Sequence, residues 1–179
     1  MILCAGEALI DMLPRKTEGG EQAFAPYPGG AVFNTAVALA RLEAPVSLFT
    51  GLSDDLFGER LSRVLTVNGV DQSLAARSSR PTTLAFVSLT GGQAAYTFYD
   101  ENSAGRMLTE ADLPDIPAAC AAGFFGGISL AVEPCAEAYL ALAGRMSAAG
   151  RLVMLDPNVR AGFIADEDRY RARMERMMA

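Results

Sequence analysis

The sequence predicts an α/β protein whose mostly parallel sheet carries helices on both faces. Apolar runs at residues 2–10, 46–51, 122–127 and 152–155 lack strict alternation, as strands covered on both faces do. Segments with an apolar stripe at helical spacing separate them. With 51% hydrophobic and 20% charged residues in a chain of 179, there is enough apolar material for a core.

Residues 2–10 read as the first strand, with Asp11 the carboxylate at its end. A helix over 30–42 places Val32, Ala36, Leu39 and Leu42 on one stripe and stops before Pro45, because a residue preceding proline avoids the α region. After the strand at 46–51, a helix over 54–66 repeats the pattern with Phe57, Leu61, Val64 and Leu65, and Asn68-Gly69 closes it. Pro134 suits the first position of a third helix, where its missing N–H costs nothing; this helix runs to Gly150 with Ala138, Leu142 and Met146 inward. Residues 166–179 read as an amphipathic helix with Tyr170, Met174 and Met177 on its apolar face. Between 71 and 100 the βα order is interrupted. Residues 82–89 and 95–99 alternate apolar and polar around Gly91-Gly92-Gln93, the pattern of an antiparallel hairpin, either an ordinary sheet edge or a cover over a site.

A net charge of −6 and a pI near 4.7 argue against nucleic-acid or anionic-membrane surfaces, which need an excess of Lys and Arg. No run reaches the roughly 18 apolar residues of a membrane span and no basic leader precedes the first strand, so the expected location is cytoplasmic. Cys4, Cys120 and Cys135 are odd in number and sit in or beside apolar segments, which predicts buried thiols rather than a disulfide. The absence of histidine excludes Ser-His and Cys-His nucleophiles and most zinc sites, so a general base must be a carboxylate or come from outside these residues.

Chemistry concentrates in Pro28-Gly29-Gly30-Ala31-Val32-Phe33-Asn34. Two glycines let the backbone approach a ligand, and the first N–H groups of the following helix face it with the positive end of the dipole. Asn34 shares the helical face of Gly30. Asp11 stands where an open α/β sheet presents ligand contacts, and a carboxylate there can accept two hydroxyls. The run at 152–160 ends in Asp156-Pro157, which turns the chain out of the sheet and presents Asn158 and Arg160; a planar guanidinium suits phosphate oxygens. A nucleotide-binding oxidoreductase fits the βαβ order, but its glycine fingerprint is missing.

With Gly51-Leu52-Ser53-Asp54-Asp55-Leu56-Phe57-Gly58 following, this order of motifs resembles the PfkB or ribokinase-like carbohydrate kinases, and within them the fructokinase-like branch. The first of that family's two signature regions falls on residues 28–52; the second, a Gly-Ala-Gly-Asp run bearing the catalytic base and anion hole, does not occur in residues 1–179. The resemblance implies a three-layer αβα fold with a small β lid from segments 16–27 and 82–100, residues 1–179 being the sugar-binding N-terminal part of that domain. It implies ATP-dependent transfer of a γ-phosphate to a monosaccharide hydroxyl, with ATP and Mg2+ as cofactors and fructose as the sugar. A 2-keto-3-deoxygluconate, ribose or nucleoside kinase, or a non-catalytic sugar-binding fragment, is the alternative. Matched to the family motifs, Asp11, Gly29, Gly30 and Asn34 bind the sugar, Tyr96, Phe98 and Arg106 close over it from the lid, Arg160 meets the transferred phosphate and Asn158 the nucleotide. Ala31 stands where ribokinase proper has a lysine, which favours the fructokinase branch, and Phe125-Gly126-Gly127-Ile128-Ser129 falls near the sugar. The resemblance implies a homodimer through the lid, without nucleic acid or membrane. Alone, residues 1–179 are expected to phosphorylate no sugar and to associate through an open sheet edge.

Overall fold

A computed structural model of the chain describes residues 1–90 and 93–179; the Gly91-Gly92 turn expected between the hairpin strands lies outside the described residues. The first apolar run divides into two strands in different sheets. Ile2–Ala5 (β1) enters the central sheet, and Leu9–Lys16 (β2) begins a second one. Between them Gly6 packs so closely on Val32 that a Cβ would overlap it, and the Glu7 carbonyl accepts the Phe33 N–H at 3.2 Å, so the chain turns against the start of the following helix. Asp11 is therefore the third residue of β2, not the end of β1. Gln22–Gly29 (β3) pairs antiparallel with all of β2, from Leu9 opposite Gly29 to Lys16 opposite Gln22, so the lid starts earlier than the 16–27 expected from sequence.

The rest follows the expected order. Ala31–Arg41 (α1), Val46–Phe49 (β4), Gly51–Ser53 (β5), Leu56–Val67 (α2), Ala76–Ser78 (β6), Leu84–Thr90 (β7), Gln93–Tyr99 (β8), Ala122–Gly126 (β9), Cys135–Ala148 (α3), Leu152–Asp156 (β10) and Glu167–Met178 (α4) succeed one another along the chain, with β5 and β6 paired in a small sheet of their own. The central sheet has the order β10-β9-β1-β4, all parallel. The second has the order β3-β2-β7-β8, with a parallel β2–β7 centre flanked by antiparallel partners.

Alternation along β1 builds two cores. Cys4 joins Val32, Phe33, Ala36, Leu48, Leu61 and Leu65 under α1 and α2, whereas Leu3 and Ala5 join Phe125, Tyr139, Leu142 and Met146 under α3, with Tyr170 and Met174 of α4. Helices thus cover both faces of the parallel sheet, as its apolar runs require. Leu42 leaves the predicted stripe and is 78% exposed, because α1 ends at Arg41 and Leu42 is its cap. The buried face of α4 also includes Arg173, which no apolar pattern foretells; it donates to the Leu130 carbonyl and to Glu133 and Glu137 of the α3 side. The three cysteines are free and buried, as expected. Among the described residues no helix is long and apolar enough to cross a membrane.

Candidate active site

A crevice of about 180 Å³ opens beyond the carboxyl ends of the central strands, roofed by the inner face of the second sheet. It brings together Asp11, Gly30, Asn34, Tyr96, Phe98, Asn158 and Arg160, all singled out in the sequence, and Ile128 of the run expected near the sugar, with Glu7 and Leu9, which were not.

Asp11 points inward from β2. No protein donor hydrogen-bonds its carboxylate among the described residues, and partial burial alone raises its pKa above the usual 3.8. Gly29 lies on the same face, and a Cβ there would collide with Asp11 Oδ2. The first glycine of the pair thus makes room for the carboxylate. Gly30 caps α1 at φ 105, a conformation L side chains rarely adopt, and its carbonyl accepts the Asn34 N–H at 2.9 Å. Asn34 is exposed at the crevice wall one turn into α1. The amides of that first turn are not all turned to the ligand, as the sequence led us to expect. Ala31 N–H donates to Glu7 Oε1 at 2.8 Å, and Phe33 N–H is also taken by Glu7.

From the lid, the Tyr96 and Phe98 rings stack 6.0 Å apart at 14°, and Phe98 meets Phe163 at 4.7 Å across the crevice mouth. The chain leaving β10 is turned by Asp156, whose Oδ1 accepts the Asn158 N–H at 3.0 Å while Asn158 takes φ 41, a left-handed conformation that asparagine tolerates. Arg160 lies 5.7 Å over the Tyr96 ring. Its Nη1 donates to Asn158 Oδ1 at 2.8 Å and to the Asn158 and Val159 carbonyls, while Nε and Nη2 have no hydrogen bond among the described residues.

Arg106 stands apart from this group. It pairs with Asp100 at 3.1 Å and donates Nε to the Glu133 carbonyl at 3.2 Å, beside a small cavity behind Ile128 and Ser129. Sequence proximity to the hairpin suggested the crevice, but Asp100, buried at the end of β8, draws the guanidinium inward. Glu7 was missed. Its signal was a lone carboxylate between Gly6 and Ala8 inside an apolar run, a costly place for a charge without partners. It is 7% exposed, and burial pushes its pKa up against hydrogen bonds from its own backbone, Ser129 and Ala31 that pull it down.

Acceptor oxygens at Asp11, an amide at Asn34, an aromatic roof and an open guanidinium fork suit a polyhydroxylated ligand next to an anionic group. The chain matches the description "pfkB family carbohydrate kinase" over residues 1–179. A fructokinase of Rhizobium leguminosarum bv. trifolii is 57% identical over 100% of this chain and 55% of its own. A fructokinase from Xylella fastidiosa with bound ATP shares the fold at a TM-score of 0.89 and 31% identity, over 99% of this chain and 57% of that one. A fructokinase double mutant from Vibrio cholerae O395, in a form with bound fructose, ADP and potassium, gives a TM-score of 0.84 and 28% identity over 99% and 56%. The chain spans about half the length of the curated relatives it matches. A family match along the whole chain, joined to this shared architecture, makes the chain a member of the pfkB family of carbohydrate kinases.

Proposed function

We propose that the protein carrying this chain is an ATP-dependent sugar kinase acting on fructose, with residues 1–179 forming its sugar-binding half. The observation that carries this reading is the Asp11 carboxylate, half-buried in the crevice that Asn34 also lines and without a protein donor among the described residues. Its two oxygens accept adjacent sugar hydroxyls, and Gly29 leaves them room. Asn34 supplies both a donor and an acceptor. Tyr96 and Phe98 cover the apolar side of the ring and exclude water. Fructose is favoured because the 57% identical relative is a fructokinase and a fold neighbour was solved with fructose.

On the phosphate side, Arg160 offers Nε and Nη2 as a fork for the transferred phosphoryl group, and Asn158 lies beside the nucleotide. Bound ATP in a fold neighbour supports ATP as phosphoryl donor. Among the described residues no group of three His, Cys, Asp or Glu side chains is placed to hold a metal ion, so Mg2+ is assigned no ligand in this chain. Removal of the hydroxyl proton is likewise assigned to no residue here, since residues 1–179 lack the Gly-Ala-Gly-Asp run. This chain's contribution is to hold the acceptor in line and to meet developing charge.

On the outer face of the lid, Phe24, Phe86 and Tyr99 form an edge-to-face row with spacings of 4.9 Å and 5.5 Å, and Tyr99 is 62% exposed. This row supports a homodimer through the lid, which sedimentation of the Tyr99→Lys variant tests. For the activity, the test is an ADP-coupled assay of fructose, 2-keto-3-deoxygluconate, ribose and nucleosides with protein from the complete reading frame. Fructose is expected to be turned over with the highest kcat/KM. Preference for another acceptor overturns fructose, and fructose binding without ADP release overturns the kinase.

A further inference from the structure

We propose that Glu7 is the positioning residue of the crevice, a buried carboxylate that fixes the start of α1 against the turn after β9 and so sets the distance between Asn34 and Ile128. The proposal rests on the sugar-kinase reading above. Glu7 sits in the link between the central sheet and the lid, and it gathers segments 24 and 122 residues away. Oε1 accepts the Ala31 N–H at 2.8 Å; Oε2 is reached by Ser129 Oγ at 3.1 Å and Ser129 N at 3.4 Å; the main-chain oxygen accepts Phe33 N–H. Every one of these neighbours is a donor, and no salt bridge with Glu7 occurs among the described residues.

The backbone is shaped around this side chain. Gly127 takes φ 71, and a Cβ there would occupy the space of the Glu7 carboxylate; Gly30 takes φ 105, and a Cβ there would press on the Glu7 carbonyl. Two glycines in a conformation that disfavours side chains thus flank one acid, on the two walls it joins. Ser129 Oγ also lies 2.9 Å from the Gly126 carbonyl, and its single proton can serve only one acceptor. A neutral group that accepts from Ala31 and donates to Ser129 Oγ therefore keeps both links and gives up only the longer bond from Ser129 N–H. Glutamine meets that description, whereas aspartate is one carbon too short to span both walls. Glu7 acts through α1 and the 127–129 turn, not on the reacting atoms.

The test compares Glu7→Gln, Glu7→Asp and Glu7→Ala in protein from the complete reading frame, reading fructose KM, ATP KM, kcat, and amide hydrogen exchange at Ala31 and Ser129. Losing a buried bridge predicts a fructose KM raised about 10-fold to 100-fold for the aspartate and alanine variants, with little change in ATP KM, and faster exchange at both amides. Glu7→Gln is expected to restore fructose KM and exchange at Ala31 to near the parent values. If Glu7→Ala does not fold, Glu7→Asp carries the comparison. A folded aspartate variant with parent fructose KM and parent exchange at Ala31 overturns the proposal, as does a glutamine variant no better than alanine. If the parent phosphorylates no sugar, the kinase reading fails, and exchange at Ala31 and Ser129 still decides whether Glu7 positions the two walls.

Discussion

The two edge strands of the central sheet are finished in opposite ways. All four residues of β4 are buried, and its outer side is bonded by the chain that follows α2: Leu48 N–H donates to the Asp71 carbonyl at 2.8 Å, Asp71 N–H to Val46, and Ser47 Oγ to the Asp71 carboxylate at 2.5 Å. β10 has β9 on one side only among the described residues, and Leu152 and Met154 are 61% and 51% exposed. Beside it a groove of about 410 Å³ lies between the 157–164 segment and Tyr170, Met174 and Met178 of α4. Local sequence closes the β4 edge; the β10 edge offers unpaired backbone and apolar side chains to whatever completes it. The crevice straddles this difference. Asp11 and Asn34 stand on elements tied to the closed side, whereas Asn158 and Arg160 hang from the open one and, among the described residues, donate hydrogen bonds only to residues 156–159.

The largest expected effect breaks the comparison outright. Expressed alone, residues 1–179 are expected to self-associate through β10 and to turn over no ATP with fructose, since an open apolar edge seeks a partner and the proposed reading assigns no base within residues 1–179. Replacing Leu152 and Met154 with lysine should shift the sedimentation profile toward monomer. A monodisperse parent chain, or a lysine variant that associates as before, shows that β10 is closed by itself and removes the contrast.

Within the complete protein, on the sugar-kinase reading proposed above, sugar affinity should follow the closed side and turnover the open one. Asp11→Ala should cost about 1 to 3 kcal/mol of fructose binding, seen as a raised KM, because hydroxyls that met a carboxylate are left without it. Burial holds the Asp11 pKa above the ordinary value, and only the charged form accepts two hydroxyls, so fructose KM should rise as pH falls through that raised pKa. Arg160→Lys keeps the charge but loses the fork, and kcat should fall about tenfold with fructose KM and melting temperature nearly unchanged. If Arg160→Lys raises fructose KM while kcat holds, the division of labour between the two sides is wrong.

What was legible in the sequence follows the range of the interactions. Helices α1 to α4 and strands β9 and β10 were read to within a few residues, because periodicity and caps act over one or two turns. Asn34 and Arg160 reached the crevice as expected because each sits at a motif that fixes its local direction, whereas Asp11 reached it from within β2 and not from the end of the first strand. The division of residues 2–10 into two strands was illegible, since its cause is Glu7 bonding to Ala31 and Ser129, far along the chain. Arg106 was misread for a similar reason. Its direction is set by Asp100 and the Glu133 carbonyl, and neither relation has a sequence spacing that announces it. Arg173, inside an apolar stripe, was invisible until α4 met Glu133 and Glu137.

The smallest expected effect sharpens the contrast at the β4 edge. Asp71 draws hydrogen bonds from Ser47 Oγ, Ser73 N–H and Ser73 Oγ, which outweigh the upward push of its partial burial and lower its pKa below the usual 3.8. A depressed carboxylate contributes stability that is present above the unfolded pKa, near 3.8, and is lost as pH falls through the lower folded one. Asp71 is solvent-exposed, so Asp71→Asn should cost only about 0.5 to 1 kcal/mol at pH 7. That difference should shrink as denaturation is repeated toward pH 3, where the parent's advantage is protonated away. Hydrogen exchange at the Leu48 amide, bonded to the Asp71 carbonyl, should quicken in the variant while β10 amides stay as fast as in the parent. An equal stability difference at pH 7 and pH 3, with Leu48 exchange unmoved, means that backbone pairing alone closes the β4 edge and that the Asp71 carboxylate is not what distinguishes it from β10.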